Sequence, residues 1–216
     1  DGGIKFLPDR YVQGVCPACS AEGARGDQCD ACGATYEANE LKDPVSKLNP
    51  EIPVEIRETD HLFFRLDLLQ NDLETHAASR KSTWKPNVRA MTQNWLNMGL
   101  RPRAVTRDIE WGVKIPLDDE VWGEKRVYVW FDAVQGYLTC ARIWSERIAE
   151  ESGSESDIWR RWWMDSGNLR HIYFMGKDNI PFHTIIWPGI LMALNRARED
   201  HERLHLEDNV ASNEYL

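Results

Sequence analysis

Four cysteines, Cys16, Cys19, Cys29 and Cys32, read C-x2-C-x9-C-x2-C within 17 residues. Zinc takes four tetrahedral ligands, and each C-x-x-C turn offers a pair of sulfurs from one tight knuckle. Gly14, Pro17, Gly23, Gly26 and Gly33 supply the sharp turns such knuckles need, and Asp27 and Asp30 keep the loop solvated. The competing reading is a pair of disulfides in a secreted chain. An odd total of five cysteines and an N-terminus, DGGIKFLPDR, without an apolar leader core weigh against it. Four thiolates leave no open coordination position, so the metal would be structural. The fifth cysteine, Cys140, sits among Leu138, Ala141 and Ile143 and reads as a small buried hydrophobe.

A second set of candidates follows two short apolar runs. RVYVWF (126–131) leads into Asp132-Ala133, and HIYFM (171–175) leads into Gly176-Lys177-Asp178-Asn179. Runs of this kind read as strands buried in a parallel sheet, and ligands of open α/β sheets bind beyond the carboxyl ends of such strands. A glycine there admits a ligand to the backbone, an acidic side chain can bind ribose hydroxyls, and a following helix N-terminus is hospitable to anions. Neither tip matches G-x-x-x-x-G-K-[ST], so a Walker-type phosphate loop is not supported.

The elements that must position these residues follow from periodicity. Residues 42–56, with three prolines, read as an extended connector, and DHLFFRL (60–66) as an aromatic strand. Leu66, Leu69 and Leu73 predict a helix over 66–79. Val88, Met91, Trp95 and Met98 predict another over 87–98, stopped by Gly99. Residues 106–116 are turn-rich. A helix is expected over 134–151, a loop over 152–156, a short helix or turn over 157–165, and a long apolar helix over 180–199 kinked at Pro188. The 216 residues are 42% hydrophobic and 28% charged, enough for a real core, and ten tryptophans need large cores or pockets. No run of 18 apolar residues predicts a membrane helix. A net charge of -9 argues against a chain that grips nucleic acid over its whole surface, though not against a local basic patch.

KFLPDRYVQGVCPACSAEGARGDQCDACGATYEANEL, RETDHLFFRL, TRDIEWGV, YVWFDAVQGY and FMGKDNIPFHTIIWPGILMAL, taken in order, resemble the methionyl-tRNA synthetases, class I aminoacyl-tRNA synthetases. The resemblance covers nearly the whole chain. It implies an α/β fold: the second half of a Rossmann-type nucleotide-binding domain (109–216), preceded by a connective-peptide insertion (1–108) whose zinc knuckle lies at about 14–36. The family's HIGH-like motif is expected upstream of residue 1 and its KMSKS-like loop just beyond Leu216, so the segment alone is expected to be inactive. The implied partners are methionine, ATP with Mg2+, and tRNA(Met), in the cytoplasm; oligomeric state is not legible.

The resemblance also distributes roles. Trp130, Ala133, Tyr137 and His183 stand at methionine-pocket positions, with Tyr137 able to offer its hydroxyl to the thioether and Trp187 sealing the pocket. Gly176 and Asp178 stand at ATP positions; Asp178 could cap a helix, alone or in addition, and Lys177 could meet phosphate or simply be solvated. Asp132 would hold its strand tip. Arg107 matches an arginine used in amino-acid activation, against the alternative of a surface ion pair with Asp108 or Glu110. Gln135 falls in the motif's variable pair and would retune the pocket if it pointed inward. Some relatives carry a second C-x-x-C pair where this chain has Ser46 and Asn49, so one ion per chain is expected. The rival readings are another class I synthetase and a non-catalytic zinc-ribbon binding module.

Overall fold

A computed structural model describes Leu7 and residues 11–26, 28–117, 120–153, 157–164 and 167–213. The KFLPDR stretch apart from Leu7, Asp27, the end of the 152–156 loop, Asp165 and the terminal EYL lie outside the described residues. In chain order the strands and helices are β1 (Val12–Val15), β2 (Ala24–Arg25), β3 (Lys42–Ser46), β4 (Phe63–Phe64), α1 (Gln70–Ser79), α2 (Pro86–Asn97), β5 (Arg103–Ala104), β6 (Thr106–Arg107), α3 (Glu120–Gly123), β7 (Arg126–Val127), α4 (Val129–Ser152), α5 (Arg160–Trp163), β8 (Ile172–Gly176), α6 (Trp187–Asn195) and β9 (Asn209–Asn213). They form two compact units, each of two chain segments: Asp1–Phe63 with Ala104–Tyr128, and Phe64–Arg103 with Val129–Leu216.

The first unit is built on antiparallel pairing. β1 lies between β2 and β3. The proline-rich connector therefore contains a strand at its start, because β3 finds a partner edge that composition does not reveal. Gly14 is required in β1: a Cβ there would overlap the Lys42 carbonyl oxygen. Cys16, Ala24, Cys29, Tyr36 and Leu41 form a small buried cluster. Farther along, β6 pairs antiparallel with β7, Thr106 opposite Val127 and Arg107 opposite Arg126.

The second unit carries the larger core. A 3-10 turn over Leu66–Leu69 runs into α1, and Leu66, Leu69 and Leu73 are buried as their spacing predicts. α2 begins with Pro86 in its first turn and ends before Gly99, at φ +78°. Val88 and Trp95 are buried; Met98, just past the last helical residue, is exposed. β8 and β9 form a parallel pair, Gly176 opposite Asn213. Val134, Trp163, Met164, Tyr173, Trp187, Leu191 and Leu204 pack as one cluster, and Trp84, Val88, Ile180 and Val210 as another. At Gly189 a Cβ would come within 3.0 Å of a Leu66 methyl, so the glycine sets how closely α6 approaches the Leu66–Leu69 turn.

Several expectations are corrected. RVYVWF is not one buried strand: only Arg126–Val127 pair, and α4 starts at Val129. Apolar runs of this length fit a strand or a helix equally well, and here Phe131, Val134, Leu138, Ala141 and Ser145 fall on one helical face. Asp132 therefore lies in the first turn of a helix, not at a strand tip. Cys140, off that face, is exposed. β8 is parallel as expected but not buried on both sides, since Ile172 and Phe174 are 50% and 78% exposed. The long helix is interrupted earlier than its proline: Phe182–Ile186 is a π-turn, and regular helix runs only from Trp187 to Asn195. Pro188 has no N–H to return to the preceding turn, which favours the wider loop of chain before it. Thr184 inside that turn donates to the Ile180 carbonyl at 3.0 Å and accepts from Thr92 at 2.9 Å.

Candidate functional sites

The cysteine quartet is built from two knuckles with the same hydrogen bonds. In the first, Ser20 N–H reaches Cys16 O at 3.0 Å and Cys16 N–H reaches Ala21 O at 2.9 Å. In the second, Gly33 N–H reaches Cys29 O at 2.8 Å and Cys29 N–H reaches Ala34 O at 2.9 Å. The turn residues Ser20 and Gly33 both have positive φ, 61° and 74°. The Tyr36 hydroxyl ties the end of the second knuckle to Arg25 O at 2.7 Å. All four sulfurs lie within 4.8 Å of one another, with Cys16–Cys32 at 3.8 Å and Cys19–Cys29 at 3.7 Å. A tetrahedral ion with metal–sulfur bonds of about 2.3 Å separates its sulfurs by about 3.8 Å. A disulfide needs about 2.0 Å, and all four thiols are free. Burial raises the Cys16 thiol pKa, but the N–H groups of Cys19 and Ala18 more than offset it and bring it to about 7. At Cys32 the Ala34 N–H lowers the pKa, while burial and crowding by the other three sulfurs push it up to about 12. The first thiolate forms readily; the full set needs a cation among them. The quartet therefore fits a metal ion.

The second unit brings the aromatic candidates together. Trp130, Ala133 and Tyr137 share one face of α4, at spacings of three and four residues. Ala133 and Tyr137 are exposed on it, and Trp130 is half-buried and stacks on Phe182 with ring centroids 5.1 Å apart. His183, in the π-turn, is 6% exposed. Its Nδ1 lies 2.9 Å from Asn179 O and its Nε2 2.9 Å from the Tyr137 hydroxyl. A carbonyl only accepts, so Nδ1 carries the proton and Nε2 accepts from Tyr137. Burial holds the His183 pKa below 6.5, against the opposing Asn179 bond, and keeps the ring neutral; burial likewise raises the Tyr137 phenol. The Tyr137 hydrogen is thus directed to the histidine, and the hydroxyl presents its oxygen outward.

Tyr173, in β8, completes a triangle of rings, 4.9 Å from Tyr137 and 5.4 Å from His183. Trp187 donates to the Tyr173 hydroxyl at 3.0 Å, so the tryptophan is a buried buttress, 1% exposed, behind these rings. Tyr173, Asn179 and Phe182 are the supporting residues that sequence reasoning missed. Only their nearness to GKDN and His183 signalled them. Gln135 is exposed and folds back on its own helix, donating to Phe131 O at 3.0 Å.

Gly176 ends β8 and precedes the short 3-10 turn Lys177–Asn179, which it caps; Asp178 is exposed within that turn and is not its N-cap. Asn213 stands opposite Gly176 at the same strand end. Arg107 belongs to the first unit. Its guanidinium lies 3.8 Å over the Tyr128 ring and donates to Ala104 O at 3.1 Å and Thr106 O at 2.9 Å. Asp108 instead binds Lys125.

Residues 3–216 match the family model described as tRNA synthetases class I (M). The chain is 48% identical over 212 residues to a methionine–tRNA ligase of Thermoplasma acidophilum, covering 98% of this chain and 36% of that protein. It is 47% identical over 217 residues to one from a Roseiflexus species, covering 98% and 34%. The chain thus spans about a third of the length of these relatives. A crystal structure of Mycobacterium tuberculosis methionyl-tRNA synthetase bound by methionyl-adenylate superposes with a TM-score of 0.57 at 25% identity, over 80% of this chain and 30% of that one. Among the described residues, no helix is long and apolar enough to cross a membrane.

Proposed function

We propose, from the premise that this chain belongs to the class I (M) tRNA synthetases, that the whole protein is a methionine–tRNA ligase. It would activate methionine with ATP and pass the methionyl group to tRNA(Met) in the cytoplasm. The observation that carries the reading is the neutral His183–Tyr137 pair beside the Trp130–Phe182 stack. These aromatic walls suit an apolar, polarizable thioether. Trp130, Ala133, Tyr137 and His183 are assigned to methionine, whose sulfur would pack against the Tyr137 ring. Gly176 would let adenosine approach the backbone, and Asp178 would accept hydrogen bonds from its ribose.

In activation a methionine carboxylate oxygen attacks the α-phosphorus of Mg2+-bound ATP, and pyrophosphate leaves. Charge grows on the phosphoryl oxygens, and Arg107 would stabilise it by a charge-assisted hydrogen bond. The cysteine quartet is assigned one structural zinc, which would supply the tie between two knuckles that otherwise share only a small core. In ancestry the chain would divide into a connective-peptide insertion over 1–108 and the second half of a Rossmann-type domain over 109–216.

The test is amino-acid-dependent ATP–pyrophosphate exchange by the full-length protein. Methionine should support exchange, while leucine and cysteine should not; equal exchange with leucine would point to another class I specificity. The isolated 216-residue segment should show none, and robust exchange by it would refute its reading as a partial core.

A further inference from the structure

The first unit buries a lysine. Lys125 is 5% exposed, and lysines are rarely buried unless paired. Its Nζ donates to Asp108 Oδ1 and, at 2.7 Å, to Thr59 Oγ1. The other Asp108 oxygen lies 3.5 Å from His61 Nε2. His61 Nδ1 is 2.9 Å from Thr106 Oγ1, which also accepts the Leu62 N–H at 3.1 Å. Lysine, aspartate, histidine and threonine thus form one continuous network, and its two ends on this segment are Thr106 and Asp108, the neighbours of Arg107. Thr106 is fully buried, whereas the Arg107 side chain reaches the Tyr128 ring. Successive strand side chains face opposite ways, so anchoring Thr106 inward directs Arg107 outward.

We propose that the Lys125–Asp108 pair is a positioning device for Arg107, setting where the guanidinium meets the charge that develops in activation. The inference rests on the assignment of Arg107 to that step. Lys125 and Asp108 touch no substrate in it; they act through the backbone on either side of the arginine. A displacement of about 1 Å at a catalytic group is enough to cost about a hundredfold in rate.

The experiment uses the full-length protein and methionine-dependent ATP–pyrophosphate exchange. Lys125→Met should lower kcat about 10- to 100-fold while KM for methionine and ATP moves less than about threefold, and Lys125→Arg should recover most of the loss. In an Arg107→Ala background, Lys125→Met should cost less than about twofold more, because the residue through which it acts is gone. Losses that multiply in the double variant, or no loss in the single one, overturn the proposal. If Lys125→Met folds poorly, the charge-neutral double replacement Asp108→Asn, Lys125→Met is put through the same cycle. The Arg107 Nε–Hε NMR resonance gives a second readout, free of activity. It should shift or broaden in Lys125→Met and return in Lys125→Arg; an unchanged resonance overturns the device. If the wild-type protein exchanges nothing with methionine, the synthetase reading fails, and that resonance alone decides the positioning inference.

Discussion

Replacing Tyr137 with Phe removes one oxygen from the aromatic site and leaves the ring triangle in place. His183 Nε2 then loses its donor, while Nδ1–H keeps the Asn179 carbonyl. An orphaned buried acceptor costs about 1–3 kcal/mol. Tyr137 is 42% exposed, so water can reach the vacated position, and the cost to stability should lie near the low end, about 1 kcal/mol. The functional loss is separate: the ring and its sulfur–aromatic contact stay, and what is removed is the hydroxyl oxygen at the pocket and the hold it keeps on the histidine ring. A loss of about 1 kcal/mol in transition-state stabilisation, counted apart from the folding cost, corresponds to about a fivefold fall in kcat/KM for methionine. Norleucine, which has a methylene in place of sulfur, should be affected less, so discrimination between the two narrows. The assay is ATP–pyrophosphate exchange by the full-length enzyme with each amino acid, alongside its thermal midpoint. Equal losses for methionine and norleucine would show that the hydroxyl does not read sulfur, and the pocket assignment of Tyr137 would be wrong.

Metal analysis of carefully reduced protein should find one zinc per chain, and Cys29→Ser should lose it together with protection of residues 12–46 from proteolysis; protein that binds none yet keeps that protection would refute the structural-site assignment. His171 and His183 are both held below 6.5, chiefly by burial, so the folded state binds fewer protons there than the unfolded chain; stability is full above about pH 6.5 and falls as acid is added below it. Asp208 is held below its usual 3.8: burial opposes this, but hydrogen bonds from His205 and the His171 N–H, with Arg80 nearby, prevail, so its contribution is lost only in stronger acid. Thermal midpoints measured between about pH 2 and 8 would reveal these signs, and a midpoint that rises on acidification would contradict them. Trp187→Ala removes the indole that bonds Tyr173 and fills the core, and should cost about 3–5 kcal/mol in chemical denaturation.

Much of this molecule was legible in its sequence because the signals are local. Two C-x-x-C turns dictate their own knuckles, since each pair of sulfurs is set by the few residues between them. The 66–79 and 87–98 helices follow from leucine, valine and tryptophan spacing, and Gly99 from the left-handed turn it alone tolerates cheaply. The order of motifs sufficed to suggest the family. The start of α4 at Val129 was not legible, because a six-residue apolar run satisfies strand and helix alike until its partners are known. Nor was β9, which exists only because β8 offers a parallel edge, or the interruption of the 180–199 helix at Phe182–Ile186. The tautomer of His183, the direction of the Tyr137 hydrogen and the burial of Lys125 between Asp108 and Thr59 were likewise decided only by tertiary structure. The Tyr137 hydrogen and Lys125 depend on groups 17 to 66 residues away in the chain, and the His183 tautomer on the local turn that brings Nδ1 to the Asn179 carbonyl; hydrogen-bond donors and acceptors become committed only when packing excludes water and leaves them one another.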